Sequence, residues 1–117
     1  MNPWGYQNYL DSANCDMKTG LDEMGFTPLQ SFGFAHNELA ARIEEYPHEN
    51  PLALIGLAVC LSKYESLDEL DNDTGFLLEL RENLEDQAIE KAVARLELKD
   101  RELFITDMEK VKSLLNW

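Results

Sequence analysis

A chain of 117 residues with 23 acidic and 10 basic side chains carries a formal net charge of −13, and 44% of it is hydrophobic. That composition belongs to a folded chain long enough to bury a core without disulfides, and it places residues 1–117 in a single helical domain. Nucleic acid and anionic membranes are excluded as direct partners because both would repel such a charge, which points instead to a cationic protein.

The opening stretch offers Trp4, Tyr6, Tyr9 and Leu10 as an aromatic anchor, then a short helix expected to be interrupted at Gly20 and to close near Gly25. It has neither a basic n-region nor an apolar h-region, so no secretory leader is expected and the protein is placed in the cytoplasm. From Pro28 to Tyr46, Leu29, Phe32, Leu39, Ile43 and Tyr46 recur at helical spacing, with His36 on the same stripe, and Pro47 ends the run. His36 is expected to be a satisfied core or boundary side chain.

Next comes "ENPLALIGLAVCLSKYE", with Asn50 as the expected N-cap and Pro51 at the first helical position. A helix apolar on nearly all faces is the central one of a small bundle. Its eleven-residue run "PLALIGLAVCL" is far short of the ~20 needed to cross a bilayer. Cys60 lies inside this run and is expected to be a buried thiol.

Downstream, Phe76, Leu77, Leu80 and Leu84 form one stripe, capped by Asp73 or Thr74, and Ala88, Ile89, Ala92, Val93 and Leu96 form another that continues it. In "RLELKDRELFI" the alternation of Leu96, Leu98, Leu103 and Ile105 with charges would suit a short hairpin over 96–105, but a helix broken near Lys99 and Asp100 is favoured. At the end, Thr106 and Glu109 make a T-x-x-E capping box ahead of Met108, Val111, Leu114 and Leu115. The fold class expected is all-α, a bundle of about five or six helices.

The charge is unevenly spread. Residues 65–90 hold ten acids against Arg81 alone, net −9, whereas residues 91–117 hold five acids and six bases. Crowding of one sign costs stability through self-repulsion, so such a block invites a functional reason. Glu79, Glu82, Asp86 and Glu90, at spacings of three, four and four, would share one face of a continuous helix.

A calcium loop is the first candidate for "DNDTGFLLELRE". With Asp71 at loop position 1, Phe76 occupies position 6, where the backbone needs glycine, and moving Gly75 there puts Leu70 at position 1 and Arg81 at position 12. Neither register binds calcium. Two histidines without H-E-x-x-H, two cysteines without C-x-x-C, no G-x-S-x-G and six scattered glycines leave no metal, cofactor or catalytic signature, and a non-enzyme is expected. Asn72-Asp73-Thr74 matches a glycosylation tripeptide, relevant only to a secretory route. Trp4 and Trp117 are either binding anchors or pins to the core.

In size and charge the chain resembles the small acidic immunity proteins that bacteria make against their own nuclease toxins, and also the acidic DNA-mimic inhibitors that phages and plasmids direct at restriction or CRISPR systems. Its start, "NPWGYQNYLDSANCD", resembles that of an uncharacterised family of small bacterial proteins with an early Trp-Gly, here Trp4-Gly5, followed by Asp11, Ala13 and Asp16, though Tyr6 stands where a small residue is expected. The immunity likeness implies an inhibitor that blocks a basic toxin, with Asp68, Glu69, Asp71, Asp73, Glu79, Glu82 and Asp86 as its contacts. A helical adaptor or homodimer is the remaining alternative, and it would require an exposed apolar patch.

Overall fold

The computed structural model describes residues 4–70 and 75–117. Among the described residues six α-helices pack around one continuous core and there are no strands. The central element is α3 (Asn50–Ser62), in which every residue from Pro51 to Leu61 is buried. A helix with no polar face is stable only when enclosed. Enclosure comes from α1 (Tyr6–Lys18), α2 (Pro28–Glu45), α4 (Phe76–Asn83), α5 (Asp86–Val93) and α6 (Leu98–Leu114), all of which touch α3.

On α1, Tyr6, Tyr9, Ala13 and Met17 form the buried stripe. Its first turn is capped from across the bundle: the Tyr6 and Gln7 amides donate to the two carboxylate oxygens of Asp100 at 2.7 and 2.9 Å. A β-carbon at Gly5 would collide with that carboxylate, which gives the Trp4-Gly5 pair a local structural reason. Instead of breaking at Gly20, α1 widens into a π-turn, Thr19–Glu23, and closes at Gly25 with φ 68°. Gly20 lies so near Ser31 of α2 that an added β-carbon would sit 2.5 Å from its hydroxyl oxygen and 3.0 Å from its Cα.

Thr27 and Gln30 form a reciprocal capping box for α2, with Pro28 in the first turn. Phe32 of α2 meets Phe76 of α4 edge to face at 4.8 Å, and half-buried His36 packs against the same ring at 5.7 Å. Beyond Tyr46 a single 3-10 turn, Pro47–Glu49, leads into α3; Asn50 is its first residue rather than its cap, and Glu49 holds the cap position.

Three boundaries differ from expectation. The stripes of 76–84 and 88–96 belong to two helices, because Leu84 leaves helical geometry and Glu85 is extended (φ −66°, ψ 148°). The segment 96–105 forms no hairpin: α6 runs unbroken from Leu98 to Leu114, with Phe104, Met108 and Val111 buried, and Thr106 lies in its interior rather than at a cap. Apolar contacts at i, i+4 and i+7 outweigh the local capping signal there. The Asp73 and Thr74 cap lies outside the described residues; the residue directly before α4 is Gly75, with φ 70°.

Gly56 provides a test of how closely α1 and α3 pack. An added β-carbon would meet the Tyr9 and Leu10 backbone at 3.5–3.6 Å, an ordinary contact, so Gly56→Ala gains helix propensity without a clash. Urea unfolding should show the variant to be about 0.5–1 kcal/mol more stable; a loss would mean that the helices lie closer than described.

Candidate functional site

The acidic segment is mounted on two supports. After Ser66, whose hydroxyl accepts the Asp68 amide at 3.3 Å, residues Leu67–Leu70 make a 3-10 turn with both leucines buried. In such a turn residues three apart eclipse each other, so Asp68 and Glu69 between them are held outward and exposed. On α4, burial of Phe76 and Leu80 leaves Glu82 exposed and Glu79 half-buried. Asp86 opens α5, where the helix macrodipole favours a carboxylate.

The expected single row of carboxylates is therefore corrected: Glu79 and Glu82 sit on α4, Asp86 and Glu90 on α5, with the extended Glu85 between them. Asp71, Asp73 and the glycosylation tripeptide Asn72-Asp73-Thr74 lie outside the described residues, as does the first part of the calcium register that begins at Asp71. Among the described residues, both ion pairs converge on Glu49, and none engages Asp68, Glu69, Glu79, Glu82 or Asp86. Arg81, the one base of residues 65–90, holds its guanidinium 4.6 Å over the Trp117 ring.

Three bases from further along the chain, Lys91, Arg95 and Lys99, line a cleft of about 550 Å³ between the start of α1 and the α5–α6 corner. Its floor reaches a buried polar cluster that nothing in the sequence pattern announced. Glu49 is 3% exposed. Its Oε1 accepts a hydrogen bond from the Tyr9 hydroxyl and lies 3.7 Å from the Arg42 guanidinium, and its Oε2 lies 3.7 Å from His48 Nε2. The Arg42 guanidinium stacks between the rings of Trp4, at 4.2 Å, and Tyr46, at 4.4 Å. Trp4 also contacts the Tyr9 ring edge-on, so here it pins the start of α1 to the core.

Burial, then the hydrogen bond to Glu49, raises the Tyr9 phenol well above its ordinary value. Tyr6 is raised in the same way by burial and by donating to Asp107 at 2.6 Å. Burial also pushes the Cys60 thiol up to about 11. At neutral pH all three keep their protons, and the buried Cys60 lacks the thiolate a nucleophile needs. Cys15, by contrast, is exposed.

Compared with protein-family models, with curated proteins and with solved structures, the chain matches none. Among the described residues, no helix is long and apolar enough to cross a membrane.

Proposed function

We propose that the protein is a non-enzymatic inhibitor, an immunity protein that occludes the cationic cleft of a nuclease-type toxin with its acidic surface. The observation that supports this reading is the isolation of its carboxylates: Asp68, Glu69, Glu79, Glu82 and Asp86 have no ion-pair partner among the described residues, and four of the five are exposed. Unpaired carboxylates keep their field and remain free to pair with Lys and Arg of a partner, which raises association rates. The DNA-mimic reading asks for an even, phosphate-like row of charges, and the break at Leu84 and Glu85 gives that row less support.

The test begins with the basic protein that the immobilised chain retains from its host, purified and assayed for nuclease activity. Wild type should suppress that activity at equimolar ratio. The triple variant Asp68→Lys, Glu69→Lys, Glu82→Lys should associate roughly 10–100-fold more slowly at low salt, with a flatter dependence on ionic strength. Stopped-flow rates that match wild type at every salt concentration would remove the acidic surface from the mechanism.

A further inference from the structure

Of the large apolar side chains exposed on this protein, Leu114 and Trp117 close the chain at the end of α6, and Tyr64 and Leu78 are linked to them through shared neighbours. Tyr64 and Leu114 line one shallow cleft together with buried Leu67. Trp117 is drawn onto α4 by Arg81, and Leu78 lies one turn before Arg81 on the same side of that helix. Their exposures are 45% for Tyr64, 64% for Leu78, 48% for Leu114 and 37% for Trp117. Trp117 is also held by its backbone. Asn116 adopts the left-handed conformation, φ 59°, and the Trp117 amide donates back to the Lys112 carbonyl at 2.8 Å, the closing bond of a Schellman motif.

Carboxylates flank this group on two sides. Asp68 and Glu69 follow Leu67 on the 3-10 turn, and Glu82 follows Arg81 on α4. Of the bases nearby, Arg81 lies over the Trp117 ring and Lys63 donates to Asn14 Oδ1 at 3.2 Å, while Lys110 and Lys112 stand on the last turns of α6 itself. An apolar, aromatic-bearing centre inside a charged rim is how strong protein interfaces are organised, with the rim setting the rate of encounter and the desolvated centre setting the lifetime.

We infer that Tyr64, Leu78, Leu114 and Trp117 form the anchor site of the acidic surface, and that the occupant is a basic protein presenting an aliphatic or aromatic side chain flanked by Lys or Arg. The net charge of −13 selects that occupant over a second copy of this chain, which would bring the same excess of negative charge. The inference rests on the reading above, that the acidic surface binds a basic partner.

The test uses two synthetic helical peptides of equal length and equal positive charge, one with a leucine stripe and the other with those leucines replaced by glutamine. Wild type should bind the leucine peptide about tenfold more tightly. Leu114→Ser combined with Trp117→Ala should erase that preference while leaving the glutamine peptide's affinity unchanged, and Tyr64→Ala should reduce it. Circular dichroism checks that each variant folds, which the exposure of these side chains favours. Equal affinity for the two peptides, or a preference that survives in the double variant, overturns the anchor site while leaving the acidic surface standing. If Asp68→Lys, Glu69→Lys, Glu82→Lys weakens neither peptide, the acidic reading itself fails. Sedimentation of the free protein as a dimer that Trp117→Ala dissociates would also overturn the inference, giving the patch to a second copy instead.

Discussion

Replacing Arg42 with alanine should lower the free energy of unfolding by about 3–5 kcal/mol, the cost of leaving one charge of a buried pair without its counterpart. Glu49 is 3% exposed and lies between the end of α2 and the start of α3. The Arg42 guanidinium stands 3.7 Å from Glu49 Oε1. Removing it also empties the space between the Trp4 and Tyr46 rings, which stack on it at 4.2 and 4.4 Å. Arg42→Lys should fall between alanine and wild type, because an ammonium keeps the charge but has no flat face for two rings. Combining Arg42→Met and Glu49→Leu with Tyr9→Phe should recover most of the loss, since the pair and the buried hydroxyl that donates to it are then removed as a unit. Denaturant titration of the four proteins checks this. A loss under about 1 kcal/mol for Arg42→Ala would show that Glu49 has enough support without it.

The cluster also bears on function. It fixes Trp4, and through Trp4 the start of α1, against the cleft where Lys91, Arg95 and Lys99 converge. These three cations are thereby placed on a different feature from Asp68, Glu69 and Glu82, and none of them forms an ion pair with those carboxylates. The negative field of the middle of the chain is kept because these three bases converge on the cleft at the start of α1 rather than on the acidic turn at Asp68 and Glu69.

Much of the fold was legible because burial leaves a period in the sequence. The enclosure of α3 follows from eleven successive residues with no polar side chain, and Pro28 and Pro47 bound α2 by removing donors and fixing φ. Signals that depend on two or three residues were less reliable. Thr106 and Glu109 match a capping box, yet the spacing of Phe104, Met108 and Val111 against the core carries the helix straight through them. Leu84 and Glu85 contain neither Gly nor Pro, so nothing local marked the break that splits the carboxylates between α4 and α5. The cap on α1 comes from Asp100, and the partners of Glu49 are Tyr9 and Arg42. Contacts between residues so far apart in the chain have no signature in a single sequence. The same holds for the apolar residues Tyr64, Leu78, Leu114 and Trp117, which come from the turn after α3, from α4, from α6 and from the residues after it, and look in isolation like unremarkable surface residues.

Raising the pH should unfold the protein over a narrow interval above about pH 10, and the cause lies in protons that the folded state will not release. Tyr6 and Tyr9 start from an ordinary value of 10.0 and are both held well above it, first by burial and then by donating to the carboxylates of Asp107 and Glu49. Cys60 goes from 9.0 to about 11, chiefly through burial. Each folded value exceeds its unfolded one. Each group's contribution is therefore complete below the unfolded value and is lost as the pH rises through it, because only the unfolded chain then gains by deprotonating. The slope is about 1.4 kcal/mol per pH unit for each group. Cys60 acts alone between about pH 9 and 10, and all three act between about pH 10 and 11, where stability falls by about 4 kcal/mol per unit. A small domain has roughly 5–15 kcal/mol to lose. Tyr6→Phe separates this linkage from the general repulsion of a chain already at −13. At pH 7 it should be about 1 kcal/mol less stable than wild type, having lost the bond to Asp107. Above pH 10 its stability should fall less steeply, by about 1.4 kcal/mol per unit, so that the two curves cross. Denaturant titrations at intervals from pH 7 to 11.5 measure both slopes, and parallel curves above pH 10 would mean that the Tyr6 phenol titrates normally in the folded protein.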